Sequence, residues 1–550
     1  MSREYENTAI KLQQVEQLIR KGEIDEANQI LQLFEKKEDT TPNFQLKCSL
    51  LKSQIEIKMG FFEEGLKLAK HTLKKCQELG DSQLIAESLS SIGRIYSIKG
   101  IKDKALEYFE KSLALFKRVG NEKEIAWSFW NIGSIYCHKG KLDQALDYFK
   151  NSKDHFEKFG DKEGNGQALY CMSAMNHDKG ELDRALEYQK QSLGCYEELG
   201  NKSEIAKSHT KIGFIYLSKG ELDRALEYQQ QSISISDETD KDQKAWALVG
   251  IGEISRLKGE LDQALTYLEQ SLALRKELGR NEEIAECLYY MGKIFHQQGK
   301  LDPAWEYLEE SLTFLNEPDN NLFITGVLLD LVSLAIEKQY HKHSDEYLQR
   351  LKRINDQEEN LIINQRYRMA KAIFLKRSSR IRDKALVQGI FQQIAGEEIV
   401  DHRITVAAMY NLCESLLDEL KAYGESSVMS EAKSLANELT TLAHRQSSPL
   451  LTIDALILQA KLAMVEGDLS DAEELLEQAK ITAEDKNLGL YILTKVSTER
   501  RNLEDQYDAW LRLTKNNAPF KERLEQARLK NYLNEAVKLA RIGKDHKTCE

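Results

Sequence analysis

"KGELDRALEYQKQSL", residues 179–193, returns as "KGELDRALEYQQQSI" at 219–233. Thirteen of the fifteen letters agree, forty positions apart. The glycine of the KG pair, taken as a marker, has counterparts at Gly22, Gly60, Gly100, Gly140, Gly180, Gly220, Gly259 and Gly299, in steps of 38, 40, 40, 40, 40, 39 and 40. A fixed period in this range predicts an array of stacked units, each packed only on its neighbours, rather than one compact core. Twenty residues after the marker a second glycine often follows, at Gly80, Gly120, Gly160, Gly200 and Gly279. Each unit is therefore two segments of about twenty residues, each closed by a residue suited to the left-handed position after a helix. That is a helix pair.

Inside the unit, five residues past the marker, stands a small residue: Ala27, Gly65, Ala105, Ala145, Ala185, Ala225, Ala264 and Ala304. Three residues past it an aspartate recurs, at Asp25, Asp103, Asp143, Asp183, Asp223, Asp262 and Asp302. A carboxylate there is expected to cap the second helix by accepting its orphan N–H groups. On the first helix, apolar and small residues repeat at helical spacing, as in Leu89, Ile92, Gly93 and Tyr96, or Phe129, Ile132, Gly133 and Tyr136. "IGRIY" with "ALEYF", and "IGSIY" with "ALDYF", resemble the W-x₂-L-G-x₂-Y…A-x₃-F…P pattern of the tetratricopeptide repeat family.

The resemblance implies an all-α fold, a right-handed superhelix (α-solenoid) of about twelve helix pairs. Helices would touch most closely at Gly93, Gly133, Gly213, Gly252 and Gly292 and at Ala105, Ala145, Ala185, Ala225, Ala264 and Ala304. The period of 40 exceeds the family's usual 34, and the family's terminal proline is missing, so the second helix can run on by about a turn. Such units are similar to those of long-period scaffold members of the family. The unit at Gly180 departs locally, with Met172, Ser173 and Asn176 where its neighbours carry Ile-Gly-x-x-Tyr, which suggests a looser or ligand-bent joint.

The organisation expected is a capping unit at 1–41, a regular array at 42–315, degenerate units at 316–426, and further units with a closing helix and tail at 427–550. "NEPDNN" (316–321) is the plainest break, Ser344, Ala385 and Ala432 continue the small-residue series, and a longer loop is expected near 396–427. A closing helix is expected over 520–541 and a frayed tail over 542–550.

The formal charge of −12 argues against a generic nucleic-acid or membrane binder. Eight scattered cysteines form no C-x-x-C pair, and the start "MSREYENTAIKL" has no apolar leader, which together suggest a cytoplasmic protein. Phosphate-loop, zinc-protease and nucleophile-elbow motifs are absent, so no catalytic residue, metal or cofactor is expected. His341 and His343, two residues apart, do not share a helix face, so a polar turn is preferred there to a metal site. The basic stretch "RYRMAKAIFLKRSSRIRDK" (366–384) could take a phosphate, an acidic peptide or RNA backbone, but reads better as a solvated helix face neutralised by acids on the next unit.

Positions that build an array should read alike from unit to unit, whereas positions that meet a ligand can vary. The stripe lying thirteen, ten, six and three residues before each marker varies most, and in the family it lines the concave groove. It carries Trp127 and Trp130, Tyr170, Phe214, Trp246 and Tyr289, with Arg94, Lys207 and Lys293 among them. Aromatics on a face not needed for packing suggest a binding surface. Asn131, Lys207 and Lys211 are candidates by type for a carboxylate clamp, but the family's two-unit pattern is not matched. The expected function is a non-enzymatic scaffold or adaptor that takes a partner peptide or helix in this groove, the flanking charges favouring an acidic or phosphorylated segment. Alternatives are a sensor for a small ligand or signal peptide, and nucleic-acid or phosphate binding through 366–384. Oligomeric state is left open.

Overall fold

The computed structural model describes residues 11–540 apart from 13, 20–22, 36–40, 237–239, 318–319, 487 and 489. Gly22 and the tail 542–550 lie outside the described residues. Among the described residues the regular structure is helical, without strands. Eleven consecutive helix pairs run from Pro42–Lys58 with Phe62–Leu79 to Pro449–Glu466 with Leu469–Asp485. Helix Ile24–Glu35 precedes them, and four helices follow: Leu490–Asp505, Tyr507–Lys515, Phe520–Ala527 and Leu529–Ala540. The chain divides into two bodies, Met1–Ala168 and Leu169–Thr548, the division falling inside the Lys162–Asp178 helix.

Local chemistry sets the helix ends. Gly120 stops Lys102–Val119 at φ 76, where a β-carbon would be strained. The next residue then caps the following helix: Asn121 accepts from Glu124 N–H at 3.2 Å, as Asp81 does from Leu84 at 3.0 Å and Asn201 from Glu204 at 3.3 Å. The recurring aspartate is a correction. The residue before the second helix is instead Ile101, Lys141, Glu181 or Glu221, without a side-chain cap. The aspartate lies inside the first turn and receives a lysine from the next unit. Lys139 reaches Asp103 at 2.6 Å, Lys219 reaches Asp183 at 2.6 Å, and Lys258 reaches Asp223 at 3.2 Å. Each of these lysines is the K of a KG pair, so the marker and the aspartate are two ends of one bridge between units.

Within a pair, the glycines of the first helix face the second helix at short range. A β-carbon at Gly133 would sit 3.0 Å from the Phe149 ring, at Gly93 2.8 Å from Phe109, and at Gly292 3.0 Å from Leu308. At Gly213 it would meet the Gln229 amide and, at 3.2 Å, the carbonyl of Ala225; at Gly252 it would lie 3.3 Å from the carbonyl of Ala264. Ala105, Ala145, Ala185, Ala225, Ala264 and Ala304 are all fully buried. A second tie escaped the sequence reading. Ser112, Ser152, Ser232 and Ser271 each donate to a first-helix carbonyl 26 residues back, those of Ala86, Ala126, Ala206 and Ala245, at 2.8–2.9 Å. Buried hydroxyls are thereby satisfied while they pin one helix to the other.

In the unit at Gly180 the residues that depart from the repeat are hydrogen-bonded within the second body. Ser173 Oγ bonds the carbonyl of Ala185 at 2.8 Å, and Asn176 Nδ2 bonds that of Met172 at 2.7 Å, inside an unbroken helix. The degenerate half holds three more differences. Ala385 is exposed, and Val387, Ile390, Phe391 and Ile394 face the core in its place. The extra residues near 396–427 lengthen a helix, His402–Tyr423, rather than a loop, because no glycine or proline interrupts that run. The closing helix is two helices, broken at Arg528 with φ 49.

Candidate functional site

The variable stripe follows from the helix period: residues at i, i+3, i+7 and i+10 share one face. In the first body it carries Arg94, Trp127 and Trp130, all half-buried, and Asn131 lies beside it, half-buried as well. The Trp127 ring meets Trp130 edge-on at 6.0 Å and Phe156 at 5.0 Å, and Trp130 leans on Phe149 at 6.3 Å. The two indoles therefore form one shelf, seated on the second helix of their own unit. Arg94 donates to Ser91 Oγ at 3.3 Å.

The second body holds the rest, and here the stripe is less open than its aromatic content suggested. Phe214 and Tyr289 are buried core residues, at 4% and 5% exposure. Trp246 is half-buried with the Arg275 guanidinium 4.2 Å above its ring. Tyr170 is half-buried, with Lys207 at 4.9 Å and Lys211 at 5.9 Å from its ring centre. The expectation that this face is not needed for packing is corrected in part. Several stripe residues bind the next first helix, 41 residues on. His177 meets Ser218 at 2.8 Å, Arg256 donates to Gln297 at 2.9 Å, Tyr289 donates to Asp330 at 2.8 Å, and His296 meets Glu337 at 2.7 Å. Arg256 is further held by Glu253 at 3.0 Å, both 2% exposed.

Charge gathers where the chain returns on itself within this body. His402, first residue of its helix, places Nδ1 3.2 Å from the Asp178 carbonyl, and its ring lies 6.2 Å from that of His177. Asp401 caps the same helix through Arg403 N–H and pairs with Arg403 at 2.9 Å and Arg366 at 3.6 Å. Although burial opposes ionisation, Arg403 and Arg366 hold the Asp401 carboxyl well below the usual carboxylate range. Burial pushes His177 and His402 down, toward the neutral imidazole; Lys211 and Arg403 add to the effect at His177, and Arg403 at His402. Lys293, half-buried, is lowered first by desolvation; Asp330 and Glu253 oppose this, while Arg256 and Arg403 add to it. Its ammonium donates to the Tyr289 hydroxyl at 3.3 Å. Residues from seven first helices, His177, Lys211, Arg256, Lys293, Asp330, Arg366 and Arg403 among them, thus meet electrostatically in this cluster.

The sequence reading singled out Lys211, Lys293 and Tyr289 of this cluster and missed Arg256, Arg403, His402 and Asp401. Arg256 was visible as a stripe position. The 401–403 residues carry no repeat signal, and only the fold brings them 224 residues back to Asp178. The basic segment is partly consumed by the fold. Arg366 is buried and donates to the Leu322 carbonyl, Arg368 binds Glu397, Lys376 binds Glu414 and Asn411, and Arg377 stacks 3.8 Å from the Phe374 ring. Arg380, Arg382 and Lys384 remain exposed. His341 accepts from Arg377 at 3.1 Å, and His343 packs edge-on to Trp305. Among the described residues no cluster of His, Cys, Asp or Glu is arranged to hold a metal ion, and no helix is long and apolar enough to cross a membrane.

A family profile described as the MalT-like TPR region matches residues 201–386, and one described as tetratricopeptide repeat matches 48–118 and 124–198. No curated protein matches the chain in sequence. Similar solved structures include the apo form of RapI, at 18% identity and TM-score 0.49, covering 66% of this chain and 97% of that one. Another is a Rap protein complexed with competence and sporulation factor, at 16% identity and TM-score 0.48 over 66% and 99%. The apo quorum sensor NprR from B. thuringiensis is similar at 16% identity and TM-score 0.46 over 56% and 87%.

Proposed function

We propose that this chain, which belongs to the tetratricopeptide repeat family, is a non-enzymatic scaffold that holds a segment of another protein on the inner stripe of its first helices. The observation that carries this reading is the cluster around Lys293. An ammonium group disfavoured by its own burial, with Arg256 and Arg403 nearby, gains when a partner brings an anion to it. The segment therefore has an acidic or phosphorylated residue for Lys293 and Arg403, and an apolar residue for the half-buried rings of Tyr170 and Trp246. In the first body, Trp127 and Trp130 offer an apolar shelf with Asn131 beside it, and Arg94 lies on the same stripe. Because side chains already tied into the array need no further ordering, a partner meets a prearranged surface.

The sensor reading also has support. Arg403 stands next to His402, which bonds Asp178, so a ligand on Arg403 acts directly on the contact between helices far apart in sequence. Nucleic-acid binding has less support, since Arg366, Arg368, Lys376 and Arg377 are engaged within the fold.

The test starts from peptides selected on the intact chain from a random display library. Carboxylate- or phosphate-bearing peptides should dominate, and Lys293→Met should weaken the best of them by about tenfold or more, in line with loss of a charge-assisted contact. Enrichment of cationic peptides, or an affinity unchanged in a folded Lys293→Met variant, would refute the reading.

A further inference from the structure

Away from the stripe, the C-terminal helices border a half-open cleft of about 230 Å³. Helix Pro449–Glu466 contributes Lys461, Leu490–Asp505 contributes Glu499 and Leu503, and Tyr507–Lys515 contributes Trp510. The two closing helices complete it with Arg528 and Glu535. We propose that this cleft binds a free α-amino acid with an apolar side chain.

Three features select that class. The first is charge. Lys461 and Arg528 face Glu499 and Glu535, so the walls are balanced and bipolar, which suits a zwitterion and disfavours a simple anion or cation. Lys461 is 4% exposed; its ammonium donates to Glu499 at 2.6 Å and to the Ala527 carbonyl at 3.1 Å. Those bonds use two of its three N–H groups and one Glu499 oxygen. A buried ion pair is stabilised when its remaining donors and acceptors are also satisfied, and the carboxylate and ammonium of an amino acid can do both at once. The second feature is the apolar part of the lining, Met464, Leu503 and Trp510, which gives a seat for a side chain. The third is size. The volume lies below the range of about 300 to 1,000 Å³ common for drug-sized ligands, which suits one small molecule.

Arg528 adds an independent sign. It is a non-glycine residue in the left-handed region, φ 49 and ψ 32, placed between two helices where an unbroken helix would be the simpler structure. Strain of this kind persists where the surroundings over-determine it, commonly at ligand sites. Here it turns the chain so that Arg528 and Glu535 both border the cleft.

The experiment uses the full chain with free leucine, methionine and phenylalanine as probes, beside their N-acetyl and C-amide derivatives, in calorimetric titration and thermal-shift measurements. At least one free amino acid should bind and raise the melting temperature, with both blocked forms about tenfold weaker or worse. Arg528→Gly removes the guanidinium while suiting the left-handed backbone, so the variant should stay folded yet lose about tenfold in affinity; Glu535→Gln, at the exposed rim, should weaken the same ligand. Failure of all three amino acids to bind would overturn the proposal. So would equal binding of the blocked forms, or unchanged affinity in both variants. The outcome does not depend on the stripe, because no residue is shared between the two.

Discussion

Gly133→Ala sets two known effects against each other. In a helix interior alanine is favoured over glycine by about 1 kcal/mol, so with open space around it the change would stabilise. Here the new methyl would meet three atoms of the Phe149 ring, at 3.0, 3.1 and 3.3 Å. Phe149 is fully buried and Trp130 lies against it, so the ring has little room to yield. Overpacking of that kind costs about 1–3 kcal/mol, which leaves a net loss of about 1 kcal/mol. A companion change shows whether the contact is the cause. Phe149→Leu supplies the residue type that Gly252 and Gly292 already face, at Leu268 and Leu308. Alone it should cost about 1 kcal/mol or more through lost packing, but combined with Gly133→Ala it should recover about 1 kcal/mol relative to the sum of the single changes. Urea unfolding is followed by tryptophan fluorescence, because Trp127 and Trp130 sit in the same unit and an array need not unfold in one step. Gly133→Ala more stable than wild type, or strict additivity in the double change, would refute the close approach of the two helices.

Acid should loosen the second body. His177 and His402 have folded pKa values below the ordinary 6.5, so below about pH 6.5 the unfolded chain takes up protons that the native chain resists, and stability falls as pH drops. Denaturant midpoints between pH 7.5 and 5 should show this slope, and His402→Gln should flatten it; a pH-independent midpoint would contradict the burial of the pair. Ser152→Ala removes the donor to the Ala126 carbonyl and should cost about 1 kcal/mol in the same fluorescence-monitored unfolding. Asp103→Asn, by contrast, should change stability by less than about 1 kcal/mol and lose even that in high salt, because Asp103 is well exposed.

What the sequence made legible was whatever the period repeats. The marker glycines, the alanine series and the close-approach glycines of the first helices recur about every forty residues, so chance is excluded within one chain. The aspartate was legible as a repeated residue but not as a bridge, because its lysine lies in the next unit and only stacking brings the two to 2.6–3.2 Å. The serine tie was equally periodic, yet a serine twelve residues past a marker resembles any polar residue until its buried carbonyl partner is seen. The stripe was harder. Phe214 and Tyr289 vary between units as a ligand-facing residue would, but they vary because each fills a different gap between neighbouring first helices. Asp401, His402 and Arg403 belong to no repeat position, so their meeting with Asp178 could come only from the path of the whole second body.

The most direct test of the central claim is hydrogen–deuterium exchange on the intact chain with and without the best acidic peptide from the library selection. The account predicts slower exchange at the first helices of the second body, Lys202–Lys219, Lys241–Leu257 and Asn281–Gln297, and at the start of His402–Tyr423. The second helices, which carry the aspartates of the lysine–aspartate bridges, should be unchanged. Protection confined to those second helices, or none at all at saturating peptide, would contradict a partner held on the inner stripe.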